Sequence, residues 1–199
     1  MSQQIAVIQY NAGNIHSVLS ALHRLGFKGI LTDNPEIIQS SDKVIFPGVG
    51  EARSTMNHLR EKGLDEIIKN LTQPVLGICL GMQLLCKHSE ENNTDCLGII
   101  PLEVKKFIPR QKENVPHVGW NTLQNTQNLL FEGLPENSFA YFVHSYYAAL
   151  GPETIAQTDY IFPFSAAVQK DNFYATRFHP EKSGCVGEKI LSNFLNIAP

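Results

Sequence analysis

A cysteine set between two glycines is the feature of this sequence that most directly suggests chemistry. Cys79 stands in the segment Gly77-Ile78-Cys79-Leu80-Gly81. The apolar residues before it predict a buried strand and those after it predict a helix, so Cys79 falls at a sharp turn between the two. Such a turn needs small neighbours on either side, and a helix N-terminus favours the thiolate form of a cysteine. The segment predicts a nucleophile, but an inert buried cysteine packed beside two glycines fits it equally well.

A base for this nucleophile is offered by the segment Phe178-His179-Pro180-Glu181. Residues two apart in an extended chain project to the same side, and Pro180 favours an extended conformation at His179. The Glu181 carboxylate can then hold the imidazole in one tautomer, which with Cys79 completes a set of nucleophile, base and orienting acid. Taken alone, a turn histidine and a solvated glutamate would explain the same residues. The two motifs together favour catalysis.

Donors for a developing oxyanion are predicted beside this set. The segment Pro47-Gly48-Val49-Gly50 directly follows a predicted strand at 44–46. Its two glycines allow the backbone to turn the Val49 N–H into a pocket, and the N–H of Leu80 supplies a second donor. The same glycines also allow a carbonyl to face the pocket instead. An ordinary Pro-Gly turn is the alternative explanation.

Short apolar, β-branched runs along the chain predict the strands that position these residues. They are the runs 5–8, 44–46, 75–78, 139–143 and 166–168. Amphipathic helical patterns at 15–25 and 56–71 separate the first three, and this alternation predicts an α/β fold with a central, mostly parallel sheet flanked by helices. From about 103 to 177 the strands lie closer together, which predicts antiparallel strands added to the same sheet in the C-terminal half. A last amphipathic helix is predicted at 186–197.

Composition limits the class of protein. A chain of 199 residues with 43% apolar content can bury roughly 70% of its unfolded surface, which predicts a single domain over 1–199. Its 16 basic and 19 acidic residues are well mixed, which argues against a nucleic-acid partner. The four cysteines lack zinc-ligand spacing, so neither a metal site nor a disulfide framework is expected. With no apolar run long enough to cross a bilayer and no export signal, we expect a cytoplasmic protein.

Six segments of the chain resemble the class I, triad-type glutamine amidotransferases, and the resemblance runs nearly end to end. These segments are Tyr10-Asn11-Ala12-Gly13-Asn14, Pro47-Gly48-Val49-Gly50, Gly77-Ile78-Cys79-Leu80-Gly81-Met82-Gln83-Leu84-Leu85, Pro116-His117-Val118-Gly119-Trp120-Asn121, Tyr141-Phe142-Val143-His144-Ser145-Tyr146 and Phe178-His179-Pro180-Glu181-Lys182-Ser183. The cysteine turn and the His-Pro-Glu segment mark only the class. Residues 116–121 and 141–146 resemble one subfamily, the glutaminase subunits of imidazole glycerol phosphate synthases in histidine biosynthesis.

The resemblance implies a role for each matched residue. It implies that Cys79, His179 and Glu181 form the catalytic triad, and that Val49 and Leu80 donate the oxyanion N–H groups. The residues implied to hold the amino-acid end of glutamine are Gly50, Gln83, Glu91, Ser145 and Tyr146. The residues implied to lie at or near a partner interface are Asn14, Trp120 and Lys182, for which a helix cap, a core aromatic and a surface charge are the alternative explanations.

The implied reaction is hydrolysis of glutamine to glutamate and ammonia, with no cofactor. The chain has no Walker-type phosphate loop and no room for a second catalytic domain, so we expect a separate protein to use the ammonia. The resemblance implies a (β/α)8-barrel cyclase subunit in a heterodimer. Because the segment 47–50 can present either a carbonyl or an N–H to the pocket, we also expect the chain alone to hydrolyse glutamine poorly. Two rivals stay open: the same chemistry serving a sugar-modifying amidotransferase of a surface glycan pathway, and a thiol hydrolase or peptidase on the same fold.

One position departs from the family pattern. Where the family usually has Gln before Phe-His-Pro-Glu, this chain has Arg177. A cation two residues from His179 can lower the pKa of the imidazole by like-charge repulsion, or it can point away from the ring. The sequence leaves both alternatives open.

Overall fold

The computed structural model of the chain describes residues 3–10 and 15–198. Its strands are β1 (Ile5–Ile8), β2 (Gly29–Thr32), β3 (Lys43–Phe46), β4 (Val75–Ile78), β5 (Cys86–Ser89), β6 (Thr94–Asp95), β7 (Ile100–Lys106), β8 (His117–Thr122), β9 (Phe139–His144), β10 (Tyr146–Ala148), β11 (Thr154–Asp159), β12 (Pro163–Lys170) and β13 (Phe173–Thr176). Its helices are α1 (Ile15–Arg24), α2 (Pro35–Ser40), α3 (Ala52–Glu61), α4 (Leu64–Lys69), α5 (Leu80–Leu85) and α6 (Gly184–Asn196), and single 3-10 turns lie at Leu129–Phe131 and Pro180–Lys182. No helix in these two stretches is long and apolar enough to cross a membrane.

The central sheet confirms the predicted α/β fold. Strands β2, β1, β3, β4 and β13 lie side by side in that order and are all parallel, and the antiparallel strands β12, β10 and β7 continue the sheet on the β13 side. Every residue of β1, β3, β4 and β13 is buried. This burial explains the apolar runs at 5–8, 44–46, 75–78 and 173–175 within these strands, because helices cover both faces of a parallel sheet.

The core lies on both faces of this sheet. Ile5 and Val7 pack into one hydrophobic cluster, whereas Ala6 and Ile8 pack into the other. Successive side chains of a strand point to opposite faces, so β1, β3, β4 and β13 each contribute to both clusters. The carboxyl ends of β3, β4 and β13 meet at one edge, and the three segments singled out in the sequence follow directly from them. In open α/β sheets this edge is the usual place for a binding site.

Two details differ from the sequence-based expectation. The helical pattern at 56–71 is split between α3 and α4, because Gly63 adopts a left-handed conformation with φ of 66°. The run at 139–143 does not join the central sheet. It forms β9, which pairs with β8 in a separate antiparallel hairpin. Only one face of this hairpin is buried, which fits the alternating burial along β9.

Candidate active site

Cys79 occupies the tight turn that connects β4 to α5. Its backbone has φ of 55° and ψ of −101°, a strained conformation for a residue with a side chain. Close packing requires glycine at 81, where a Cβ would lie 1.9 Å from the Phe46 carbonyl oxygen, and favours it at 77, where a Cβ would lie 3.1 Å from the backbone of Gly81 and Met82. The structure therefore has the strand, sharp turn and helix that the sequence predicts around the cysteine.

His179 and Glu181 form a buried pair beside this turn. The Nδ1 atom of His179 lies 2.8 Å from Oε1 of Glu181, with the two side chains only 3% and 2% exposed. His179 is extended, as predicted, but Pro180 begins a 3-10 turn, so the prediction of an extended segment through Glu181 is wrong. The pair forms because the turn brings the carboxylate back towards the ring. With its Nδ1–H donated to Glu181, the imidazole keeps Nε2 for another partner.

The charges around Cys79 and His179 favour a thiolate and an imidazolium. Burial alone would raise the pKa of the Cys79 thiol, but the Arg177 cation and then His179 outweigh it and bring that pKa below its ordinary value. Burial alone would lower the pKa of His179, but the charge of Cys79 and the hydrogen bonds to Cys79 and Glu181 raise it. Both shifts favour the ionised form of the nucleophile.

Replacing Glu181 by glutamine is expected to lower the pKa of His179. The carboxylate stabilises the protonated ring, and the amide removes that charge while keeping the size of the side chain. The NMR titration midpoint of the His179 ring should therefore fall by about one pH unit. The exposed carboxylate Glu188, which pairs with Arg24 on the surface, supplies the control: Glu188→Gln should leave the midpoint in place. An unchanged midpoint in Glu181→Gln would contradict this assignment.

The predicted oxyanion donors lie next to the thiol, but one of them is occupied. The N–H of Leu80 donates a hydrogen bond of 3.3 Å to the carbonyl oxygen of Gly48. This carbonyl belongs to the same planar peptide unit as the N–H of Val49, and in a trans peptide the two groups point in opposite directions. The segment therefore presents its carbonyl, and not the Val49 N–H, to the Leu80 donor.

The residues predicted to hold glutamine line one cavity of about 360 Å³ that opens onto Cys79 and His179. The predicted residues in its wall are Val49, Gly50, Leu80, Gln83, Glu91, Ser145, Tyr146 and Lys182. Glu91 is fixed in this wall because its Oε2 accepts hydrogen bonds from Gln83 Nε2 at 2.8 Å and from the Ala52 N–H at 3.0 Å. Within 3–10 and 15–198, no group of three or more His, Cys, Asp or Glu side chains could hold a metal ion.

The three residues predicted at a partner interface fall in different places. Lys182 is exposed and also lines the cavity. Trp120 lies away from the cavity on the open face of the β8–β9 hairpin, where it is 55% exposed and contacts Tyr141 edge-on. The exposure contradicts the alternative that Trp120 is a core aromatic. Asn14 lies outside the described residues.

Three further residues in the cavity wall received no role from the sequence. The side chain of Arg177 is buried and lines the cavity, so it does not point away from the site. The carbonyl oxygen of Val143 lies 3.9 Å from Cys79 Sγ. His144 is held neutral by burial and by the nearby Arg177, which lower its pKa, and its ring is hydrogen-bonded to the equally buried His117. The role of the Val143 carbonyl could not be predicted from residue types, because every residue has a backbone carbonyl. The motif at 141–146 did identify the segment that contains it.

Comparison with known proteins agrees with these features. A family model described as "Glutamine amidotransferase class-I" matches residues 6–198. A protein of Bacteroides thetaiotaomicron named imidazole glycerol phosphate synthase subunit HisH is 62% identical over 195 residues, which cover 98% of this chain and 100% of that protein. The protein of the same name from Escherichia coli K12 is 46% identical over 97% of this chain and 99% of its own length.

Solved structures share the fold at low sequence identity. One described as a glutamine amidotransferase aligns with a TM-score of 0.74 at 20% identity, covering 96% of both chains. A structure titled PurLQS from Thermotoga maritima aligns with a TM-score of 0.69 at 16% identity, covering 98% of this chain and 99% of that one. At this identity the likeness supports the fold alone.

Proposed function

This chain belongs to the class I glutamine amidotransferase family and, within it, to the HisH subunits, and from that membership we propose a specific reaction for it. The chain hydrolyses L-glutamine to L-glutamate and ammonia through Cys79, His179 and Glu181. It passes the ammonia to a cyclase subunit that makes imidazole glycerol phosphate and aminoimidazole carboxamide ribotide. The observation that carries the proposal is a strained, ionisable cysteine beside a buried His–Glu pair at the mouth of one cavity. One domain over 1–199 and a cytoplasmic location are part of the same proposal.

The chemistry runs through a thioester. The Cys79 thiolate attacks the side-chain carboxamide carbon of glutamine, and the carbonyl oxygen becomes an oxyanion. His179, protonated and held by Glu181, gives its Nε2 proton to the leaving nitrogen as the C–N bond breaks, so ammonia departs and a γ-glutamyl thioester remains. Water then gives a proton to His179 and attacks the thioester, and release of glutamate returns the thiolate.

The cavity wall suits the other end of glutamine. The Glu91 carboxylate is the charged group that fits the α-ammonium group, and its bond to Gln83 fixes its position. Gly50, Ser145 and Tyr146 complete the wall around the amino-acid end. A substrate held at both ends places its carboxamide at the thiol, which is how positioning contributes to the rate.

The open face of the β8–β9 hairpin is the docking surface that we propose for the cyclase. Its exposed apolar residues are Val118, Trp120, Phe139 and Val143. The cross-strand register Val118–Val143, Trp120–Tyr141 and Thr122–Phe139 puts these side chains on one face. A contiguous exposed apolar patch is typical of a protein interface.

The same hairpin is bonded directly to the catalytic segment. The N–H of His179 donates to the Tyr141 carbonyl at 2.9 Å, and the Tyr141 N–H donates to Ser183 Oγ at 2.9 Å. A partner that binds β9 therefore contacts a strand that is hydrogen-bonded directly to the backbone of His179, the proposed base. The (β/α)8-barrel form of this partner rests on the family resemblance alone.

Replacing Trp120 by alanine is expected to weaken association with the cyclase. Exposed tryptophans on apolar faces are frequent energetic centres of interfaces, so the Kd should rise roughly 30-fold, which is about 2 kcal/mol. Titration calorimetry with the purified cyclase measures this. Leu129 is 63% exposed but lies in the connection between β8 and β9 and not on either strand, so Leu129→Ala should bind normally. Equal affinities for both variants would place the interface elsewhere.

The test of the function is to follow glutamate release from glutamine as the chain, the cyclase and the cyclase ligand are added in turn. The proposal expects release that depends on glutamine and rises with the ligand-bound cyclase. If the cyclase does not change the rate of glutamate release and the chain instead activates a sugar-modifying synthase, the glycan-pathway rival would be supported. A chain that cleaves peptides or esters but not glutamine would support the thiol-hydrolase rival.

A further inference from the structure

Arg177 is a buried cation that the proposed reaction has not yet used. It follows β13 directly, is 5% exposed, and its Nη1 donates to the carbonyl oxygen of Cys79 at 2.9 Å and to Gln83 Oε1 at 3.1 Å. Both acceptors are neutral. Within residues 3–10 and 15–198, Arg177 forms no salt bridge and its Nε has no hydrogen-bond partner.

A buried guanidinium without a carboxylate is costly, because arginine is rarely buried unless it is paired. The cost is offset if a negative charge forms nearby during the reaction. The thiol of Cys79 can supply such a charge, and the guanidinium already holds the carbonyl oxygen of the same residue. The structure thus places a fixed positive charge directly behind the nucleophile.

We propose that Arg177 is a positioning residue of the glutaminase reaction, which holds the Cys79 turn and Gln83 together and sets a permanent cation behind the nucleophile. The inference rests on the proposed function. It assigns a role to a position at which the sequence departs from the family pattern.

The hydrogen bonds of Arg177 connect the nucleophile to the substrate wall. Gln83, which accepts from Nη1, donates through Nε2 to Glu91 at 2.8 Å and to Ser89 Oγ at 2.9 Å. Hydrogen bonds therefore connect Cys79, Arg177, Gln83 and Glu91 in one unbroken series. Since Glu91 is proposed to face the α-ammonium group, Arg177 also fixes the distance between the two ends of the site.

The other groups around the thiol cannot replace this charge. Burial raises the pKa of Cys79, Arg177 and His179 lower it, and Glu181 raises it again. Tyr10 stays neutral because burial, followed by the charge of Cys79, raises its pKa. His144 stays neutral because burial, followed by the charge of Arg177, lowers its pKa. Among the described residues, Arg177 and His179 are the cations that lower the pKa of Cys79 most. Of the two, only Arg177 keeps its charge throughout the reaction.

The test is the pH dependence of Cys79 alkylation by iodoacetamide, followed by peptide-resolved mass spectrometry so that exposed Cys185 is counted separately. Arg177→Gln and Arg177→Met remove the charge at similar length, and either one that folds suffices. We expect the midpoint for Cys79 to move up by about one pH unit, with a roughly 10-fold slower reaction at low pH. Arg177→Lys keeps the charge and should keep the midpoint near that of the wild type.

The controls separate the charge effect from damage to the fold. Arg24 pairs with Glu188 on the surface, so Arg24→Gln removes one positive charge far from the site and should leave the midpoint unchanged. A shifted acidic limb of glutaminase kcat/KM should accompany the shifted alkylation midpoint in Arg177→Gln. An unchanged midpoint in a folded uncharged variant would overturn the inference. Failure of the proposed function looks different, because the wild type itself would then release no glutamate from glutamine.

Discussion

Replacing Cys79 by alanine is expected to abolish glutamine hydrolysis, with a fall in kcat of at least about 1000-fold. Without the sulfur no thioester can form, and the remaining His179–Glu181 pair has no nucleophile to activate. Alanine should fit the turn as well as cysteine does, because the wild-type turn already holds a residue with a side chain at φ of 55°. Glutamate release in the presence of the ligand-bound cyclase measures the loss.

The controls for this variant test the division of labour between the two subunits. Cys185 is an exposed thiol at the start of α6, so Cys185→Ala should keep the wild-type rate. A complex that contains Cys79→Ala should still form product when ammonium salt is supplied at high pH, because the cyclase needs only ammonia. Glutamine-dependent product formation by the Cys79→Ala complex would refute the proposed role of the thiol.

The turn around Cys79 could be predicted from the sequence because it is constrained by its own backbone. A Cβ at Gly81 would lie 1.9 Å from the Phe46 carbonyl oxygen, and one at Gly77 would lie 3.1 Å from the backbone of Gly81 and Met82. The turn around Cys79 therefore shows in the residue types themselves. Likewise β1, β3 and β4 are buried on both faces, and this leaves an unbroken apolar run at each strand.

The parts that escaped prediction depend on contacts between distant segments. The pairing of β9 with β8 and not with the central sheet is decided by tertiary packing, because the residue pattern of a strand does not show which strand it pairs with. The direction of the Arg177 side chain is set by the carbonyl of Cys79, 98 residues earlier in the chain. The break at Gly63 is a local signal, but one glycine inside an amphipathic pattern is compatible with a continuous helix.

The orientation of the peptide between Gly48 and Val49 belongs to a third kind of feature. Glycine next to Val49 leaves both orientations sterically open, so the residue types cannot choose between them. The structure has the orientation in which the Gly48 carbonyl accepts from the Leu80 N–H. A single hydrogen bond of this kind contributes only about 1 kcal/mol net, which a partner can readily outweigh.

The isolated chain is therefore expected to hydrolyse glutamine at least about 100-fold more slowly than the complex with the ligand-bound cyclase, since loss of even one oxyanion donor has an effect of that size. Rotation of the Gly48–Val49 peptide would free the Leu80 N–H and turn the Val49 N–H towards the thiol. Because these donors act on the oxyanion of the transition state, the difference should lie in kcat and leave KM nearly unchanged. Steady-state glutaminase assays with and without the ligand-bound cyclase measure it.

Alkylation of Cys79 supplies the control that isolates the oxyanion donors. Iodoacetamide reacts with the thiolate at a saturated carbon, so that reaction develops no oxyanion at the Val49 and Leu80 N–H groups. Within the assembled complex, addition of the cyclase ligand should raise glutaminase kcat while the alkylation rate stays the same. A parallel rise in both rates would instead mean that the partner acts on the ionisation or exposure of the thiol, and equal glutaminase rates with and without the ligand would contradict activation altogether. The surroundings of Cys79 already favour its thiolate in the unpartnered chain, because Arg177 and then His179 outweigh burial and lower the pKa of the thiol. The Leu80 N–H, in contrast, is still occupied by the Gly48 carbonyl. We therefore expect the partner to change the oxyanion donors and not the thiol.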